Sequence, residues 1–206
     1  MESTHNPKIL LVEGRDDEKV IEYLLKSKTL NYPFRIENKN GFHNLRQSLP
    51  NHIKTSEVKV VGIVADANDN LNDRWKSISN QIAKAECEVP SKPEPDGTIF
   101  SDWKGTRIGV WIMPNNKCNG ELEDFIRDMI FEDDPVLPLA KGYIDNIPEK
   151  NCKFSSKKRV RAYVHAWLAT CEEPRPMGLA ILTGDLNKDA GGANQFIDWL
   201  RELFQF

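Results

Sequence analysis

Three acidic elements in this chain carry residues able to do chemistry together. Glu13 closes the apolar run Lys8-Ile-Leu-Leu-Val and is followed by Gly14, and Asp66 closes a second apolar run over residues 58–66. Further on, Gly120-Glu-Leu-Glu-Asp124 places three carboxylates at the start of a helix. A buried strand that delivers a carboxylate at its carboxyl end is how an open α/β sheet builds a site. Carboxylates converging from three such elements are oxygen ligands suited to a hard divalent cation.

The elements that must position these acids follow from the pattern. Residues 8–14 read as a buried strand bounded by Pro7 and Gly14. Asp16, Asp17 and Glu18 then put acid in a first helical turn, where the dipole favours it, and Val20, Ile21, Leu24 and Leu25 follow at helical spacing. Residues 34–40 form a shorter, more polar strand near an edge, and a helix through Leu45, Leu49 and Ile53 follows. After the strand at 58–66 comes a helix carrying Trp75, Ile78 and Ile82. The prolines and glycines of residues 87–105 mark a loop or irregular hairpin, and residues 107–114 form the last central strand. A helix with Leu122, Phe125, Ile126, Met129 and Ile130 on one face follows.

Strands alternating with helices predict an α/β fold, a mostly parallel Rossmann-like sheet flanked by helices. Residues 8–131 form this core, and residues 132–206 read as a mainly helical carboxyl-terminal extension packed on it. Residues 157–170 and 193–206 are amphipathic helices, whereas the periodicity of residues 178–184 fits a short strand or a helix.

Composition narrows the classes. With 206 residues there is enough chain for one domain with a sizeable core. A net charge of −3 gives no global basic field, so a nucleic acid would have to be held by a local patch, a metal or a partner. No run approaches the roughly 18 apolar residues of a membrane span, and the first seven residues lack the regions of a signal peptide. Cys87, Cys118, Cys152 and Cys171 are scattered, as fits a reduced compartment, and the dispersed histidines (His5, His43, His52 and His165) argue against zinc. A cytoplasmic protein is expected.

The order strand–Glu13-Gly14–helix, then strand–Asp66-Ala-Asn68, then Gly120-Glu-Leu-Glu-Asp124 resembles the TOPRIM domain of DnaG-type primases, topoisomerases and overcoming-lysogenisation-defect nucleases. Trp111-Ile-Met-Pro-Asn115, Lys158-Arg-Val-Arg-Ala-Tyr-Val-His-Ala-Trp-Leu168 and Gly178-Leu-Ala180 look like the signature of small stand-alone TOPRIM-related proteins. The resemblance implies a Mg²⁺- or Mn²⁺-dependent nuclease acting on DNA or RNA, an effector of antiphage defence or repair that works with an ATPase partner. It implies Glu13 as metal ligand or general base, Asp66 as principal metal ligand and Glu123 as the functional acid of the third element. Asn68, Asp69 and Glu121 are further candidate metal ligands.

Two positions depart from the pattern. Asn68 stands where a second acid is usual, and Asn115 where an Asp is expected. Asp69 can substitute only if the chain has turned, because on a continuing strand it faces the opposite way. At about 100° per residue, Glu121 and Glu123 fall on opposite edges of the apolar stripe, so a regular helix cannot aim both into one site; Glu121 could reach it from the loop. These acids could equally serve only to complement the helix dipole. A catalytically degraded module that docks on or regulates an ATPase is the alternative function.

Lys157, Lys158, Arg159 and Arg161 form a basic cluster, read either as phosphate contacts, with Lys158 and Arg161 foremost and Lys158 also a charge-stabilising catalytic group, or as a solvated helix face. Arg15, next to Glu13-Gly14, could reach a phosphate or pair with a neighbouring acid. Of the five tryptophans only Trp103 lies outside an apolar pattern, as a partner or nucleic-acid contact. Aromatic residues near the carboxyl terminus make a homodimer conceivable.

Overall fold

The structure, a computed structural model, describes residues 6–206; His5 and the leader-free start expected above lie outside the described residues. Five strands form one sheet, β1 (Lys8–Val12), β2 (Arg35–Asn38), β3 (Val60–Asp66), β4 (Thr98–Ser101) and β5 (Arg107–Met113), in the order β2-β1-β3-β5-β4. The first four in that order run parallel, and β4 pairs antiparallel with β5. This is the expected Rossmann-like α/β architecture. The segment read as a loop or hairpin supplies the edge strand β4: Asp102 accepts the N–H groups of Lys104 (2.9 Å) and Thr106 (2.7 Å) and closes the turn into β5.

Period-two alternation divides the sheet residues between two layers. Leu10, Val12, Val64, Trp111 and Met113 face one side. Ile9, Leu11, Val61, Ile63, Ala65, Ile108, Val110 and Ile112 face the other. The second side is covered by α2 (Phe42–Lys54) through Leu45, Leu49 and Ile53, and by α3 (Leu71–Ala83) through Trp75, Ile78 and Ile82.

The first side is covered by α1 (Arg15–Ser27), α4 (Leu122–Arg127), α5 (Leu137–Asp145), α6 (Arg159–Leu168), α7 (Met177–Thr183) and α8 (Gly191–Phe204). The ambiguous segment 178–184 is therefore helical. It packs on α1 so closely that a Cβ at Gly178 would stand 2.7 Å from the Lys19 carbonyl oxygen. Such an approach requires a glycine. Helix α4 stops at Arg127, shorter than the apolar spacing through Ile130 suggests, and turns carry the chain on. The basic segment begins with a 3₁₀ turn over Ser156–Lys158 before α6.

The carboxyl-terminal residues complete the main core. Helix α8 lies on β3 and β5, where Phe196 and Trp199 pack against Trp111 with ring centroids 5.2 and 5.7 Å away. Gly62 and Gly109 make room for it, since a Cβ at Gly109 would fall 2.4 Å from Leu203 Cδ2. Trp75, Trp111, Trp167 and Trp199 are buried, whereas Trp103 is 71 % exposed with the Lys104 ammonium over its ring. No helix among the described residues is long and apolar enough to cross a membrane, and all four cysteines are free thiols.

Candidate metal centre

Strand β1 has β2 on one side and β3 on the other, so the connections leaving β1 and β3 run in opposite directions from the β1–β3 seam. The carboxyl end of such a seam is where open α/β sheets bind ligands. Glu13 and Asp66 emerge there side by side, with the Asp66 N–H donating to Glu13 Oε1 at 2.9 Å. Each sits at the end of a strand whose neighbouring residues are buried, so the sheet itself sets their separation.

The third acidic element arrives through a two-bond bridge. Asn68 N–H donates to the Gly120 carbonyl (2.7 Å) and Gly120 N–H to the Asn68 carbonyl (2.9 Å). Gly120 has φ +145°, and a Cβ there would meet Asp124 Oδ2 at 2.7 Å, so the bridge needs glycine. Asp66 Oδ1 then accepts the N–H of Leu122 (2.9 Å), the first residue of α4. The helix begins after Glu121, whose own backbone is extended. Glu121 and Glu123 are therefore not constrained to opposite edges of one helix, and the charge of both reaches Asp66, although only Glu123 lines the cleft at this seam.

A cleft of about 280 Å³ opens at this seam, lined by Glu13, Arg15, Asp17, Asp66, Glu123 and Arg161 together with Asp16, Gly14, Asn40, Gly41 and Leu122. Five of the sequence-derived candidates line it, and three more, Glu121, Asn68 and Lys158, stand beside it. Glu13, Asp66, Glu123, Arg15 and Arg161 line it, and Lys158 pairs with Glu121 beside it. Asp69 does not line it. The chain turns at Asn68 (φ +52°), and the Asp69 carboxylate points outward to Lys157 Nζ at 2.5 Å. Asn115 is also elsewhere, its Oδ1 accepting from Lys117 and Cys118 N–H in the loop after β5. It bears on that loop rather than on the site.

Two residues enter that the sequence reading did not single out. Asp17, four residues after Glu13, is only 6 % exposed. Its Oδ2 accepts the Gly14 N–H at 3.0 Å, and its Oδ1 has no hydrogen-bond partner. The spacing from Gly14 was the available signal, since an acid three residues after an N-cap reaches back to it. Arg74 of α3 is the other. Its guanidinium stacks on the Phe42 ring at 3.4 Å and reaches within 3.6 Å of Glu13 Oε1. The Asn68 amide is satisfied with its oxygen toward Arg74 Nη2 (2.5 Å) and its nitrogen toward Glu121 Oε1 (3.0 Å). No apolar or acidic pattern marks a lone arginine on a helix as a partner of residues sixty positions away.

The charges are unevenly matched. Glu13 faces Arg74, Glu121 is bound by Lys158, and Glu123 by Arg161 Nε at 2.5 Å. Asp17 and Asp66 have no ion-pair partner among the described residues. Burial, then repulsion from Glu13, pushes the Asp17 carboxyl up to about 7. Burial followed by repulsion from Asp17, Glu13, Glu123 and Glu121 holds the Asp66 carboxyl well above the usual range. Glu13 is raised less, because burial is opposed by Arg74 and by the Asp66 N–H. Desolvation and like charges favour the neutral acid, so without a cation this site draws protons.

Among the described residues no group of three or more His, Cys, Asp and Glu side chains is already gathered as a metal cage. Three of the five carboxylates are instead drawn onto protein cations. The donor set nonetheless fits a hard divalent ion: all the free donors are carboxylate oxygens, and Asp17, which lines the same cleft, has in Oδ1 a buried acceptor without a partner.

Fold and site define an α/β protein of Rossmann-like architecture with an acid-rich centre at the carboxyl edge of its sheet. The chain belongs to the family described as Protein of unknown function (DUF3226), whose model matches residues 7–205. Neither curated proteins nor solved structures gave a match to the chain.

Proposed function

We propose that this chain is a Mg²⁺- or Mn²⁺-dependent nuclease of TOPRIM type that cleaves nucleic-acid phosphodiesters. The observation that carries the reading is a pair of carboxylates without cations, Asp17 and Asp66, flanked by Glu13 and Glu123 at the sheet's switch point. Unpaired buried acids cost stability, and a divalent cation is the ligand that repays it. Glu13, Asp17, Asp66 and Glu123 would hold the ion. When bound, it supplies charge stabilisation for a phosphorane-like state and an activated water.

The chain's own residues do the remainder. Glu13, with its raised carboxyl, accepts a proton near neutral pH more readily than an exposed glutamate. Arg161 and Arg15 line the cleft and neutralise phosphate, while Lys158 stands one ion pair away. Lys157 extends the positive rim to Asp69. Action as an effector in antiphage defence or repair alongside an ATPase partner, in the cytoplasm, belongs to the same proposal and follows from the TOPRIM resemblance.

The second reading is a docking or regulatory module with a degraded site. It is favoured by Asn68, whose amide is occupied by Arg74 and Glu121 where a carboxylate ligand is usual. Calorimetry with Mg²⁺ and Mn²⁺, on wild type and Glu13→Ala/Asp66→Ala, separates the two when plasmid and RNA cleavage are assayed on the same samples. Metal binding and cleavage that both vanish in the double variant support the nuclease. Wild-type protein that ignores both metals sinks it in favour of the docking module.

A further inference from the structure

The five acids at the seam fall into two halves. Asp17, Asp66 and Glu123 face the cleft with Glu13 between the halves, whereas Glu121 and Asn68 lie beside it against Lys158 and Arg74. The cleft half holds the unpaired oxygen of Asp17, on a side chain 94 % buried by its 6 % exposure. In the other half the acid and the amide already have partners, and Arg74 Nη1, with no hydrogen bond of its own, stands 3.6 Å from Glu13 Oε1 as an ion pair. Glu121 takes Lys158 Nζ and the Asn68 amide nitrogen, and the Asn68 oxygen takes Arg74 Nη2. Arg74 is fixed there, with a side chain only 12 % exposed and clamped on Phe42.

We infer that this site takes a single divalent cation, in the half lined by Asp17, Asp66, Glu13 and Glu123, and that Arg74 and Lys158 occupy the place of a second ion as built-in counter-charge. The inference rests on the metal-dependent reading proposed above and narrows it. The charge balance agrees: with the cleft-lining Asp16 and Arg15 included, six carboxylates against the four cations Arg15, Arg74, Lys158 and Arg161 leave two negative charges, the charge of one divalent ion. A second ion beside Glu121 would have to displace an ammonium and sit against a buried guanidinium, with a neutral amide in place of a carboxylate. Like charges at that separation in a partly desolvated site repel strongly.

Two consequences follow for the chemistry. Asp17, Asp66, Glu13 and Glu123 would hold the one ion, which would supply charge stabilisation there, while Lys158 and Arg74 supply fixed positive charge beside Glu121 and Glu13. Arg161, with a side chain 49 % exposed, is the cation able to leave Glu123 for a phosphate oxygen without dismantling the core.

The test is Mn²⁺ titration by calorimetry with electron paramagnetic resonance on the same samples, comparing wild type, Asp17→Asn, Lys158→Met and Arg74→Met/Lys158→Met. Far-UV circular dichroism verifies each fold. Wild type is expected to bind one Mn²⁺ per chain with the spectrum of an isolated ion, and Asp17→Asn to lose affinity by about 100-fold. Lys158→Met keeps the first ion, and the double variant admits a second, weaker one with spin coupling between the two. Two ions per wild-type chain, or an Asp17→Asn protein that binds as wild type does, overturns the inference while leaving the metal reading intact. No binding by any of the four removes the metal reading itself.

Discussion

Asp17 offers the sharpest physical prediction, because its substitution by asparagine should stabilise the protein it is taken from. The Asp17 carboxyl is pushed from 3.8 up to about 7 by burial and by Glu13. On raising the pH, the unfolded chain releases this proton near 3.8, while the folded chain holds it until about 7. Between those values the native state binds more protons, so stability falls as pH rises and levels off above about 7. The two values lie about three pH units apart, and each is worth about 1.4 kcal/mol, so ionising Asp17 costs the fold about 4 kcal/mol at pH 8.

In Asp17→Asn the amide oxygen keeps the bond from Gly14 N–H, and the amide nitrogen replaces the unpartnered Oδ1. The variant does not titrate. It should exceed wild type by about 2 kcal/mol at pH 5 and about 4 kcal/mol at pH 8. Relief of the repulsion that raises Asp66 adds to the same sign. Urea unfolding in EDTA, followed by fluorescence of the buried Trp111 and Trp199 from pH 5 to 8, measures the difference. Adding Mn²⁺ at a hundred times its Kd should stabilise wild type by about 2.7 kcal/mol and the variant far less. A variant less stable than wild type at pH 8, or a difference that stays flat with pH, refutes the assignment of Asp17 as an uncompensated buried acid.

Two further substitutions test the fold that holds the site. Gly109→Ala drives a Cβ to within 2.4 Å of Leu203 Cδ2, a side chain with no room to retreat, and should cost about 1–3 kcal/mol in chemical denaturation. Asp102→Ala leaves the Lys104 and Thr106 N–H groups at the β4–β5 turn without their acceptor. It should cost about 1–3 kcal/mol, with faster hydrogen exchange confined to residues 98–107.

Much of the scaffold was legible because its signals are local. The runs ending at Glu13 and Asp66 are strands because they are apolar, β-branched and bounded by Pro7, Gly14 and the turn at Asn68. The helices through Val20, Leu45 and Trp75 follow from their spacing. Strand β4 was legible only as one of two readings, loop or irregular hairpin, because Thr98–Ser101 is four residues long, follows several prolines and owes its place to pairing with β5. Four of the five site acids were legible as acids at element ends. Asp17 was masked by its neighbours, since Asp16 and Glu18 offer the same side chain type to the helix dipole and only burial distinguishes it. Arg74 was invisible for the opposite reason: its role comes entirely from the packing of α3 against the mouth of β1.

The carboxyl-terminal third has two separable duties, which explains why its sequence carries two kinds of signal. Helix α8 is apolar on the face that meets β3 and β5, and its Leu203 and Phe204 are matched to Gly62, so that it closes the main core. Of residues 157–161 four are basic, and only Val160 packs against that core. Lys157, Lys158 and Arg161 instead reach three acids, Asp69, Glu121 and Glu123, each from the loop-and-helix side of the seam. These three pairs add charge contacts to the apolar packing of Val164, Trp167 and Leu168 that seats α6 on the core. The Lys157–Asp69 pair is exposed and adds little to stability, whereas Glu121 and Glu123 are 14 % and 3 % exposed, so removing their cations leaves buried charge uncompensated. The stretch therefore has one side chain that packs and three cations that reach acids, two of which, Lys158 and Arg161, neutralise the largely buried Glu121 and Glu123 at the seam.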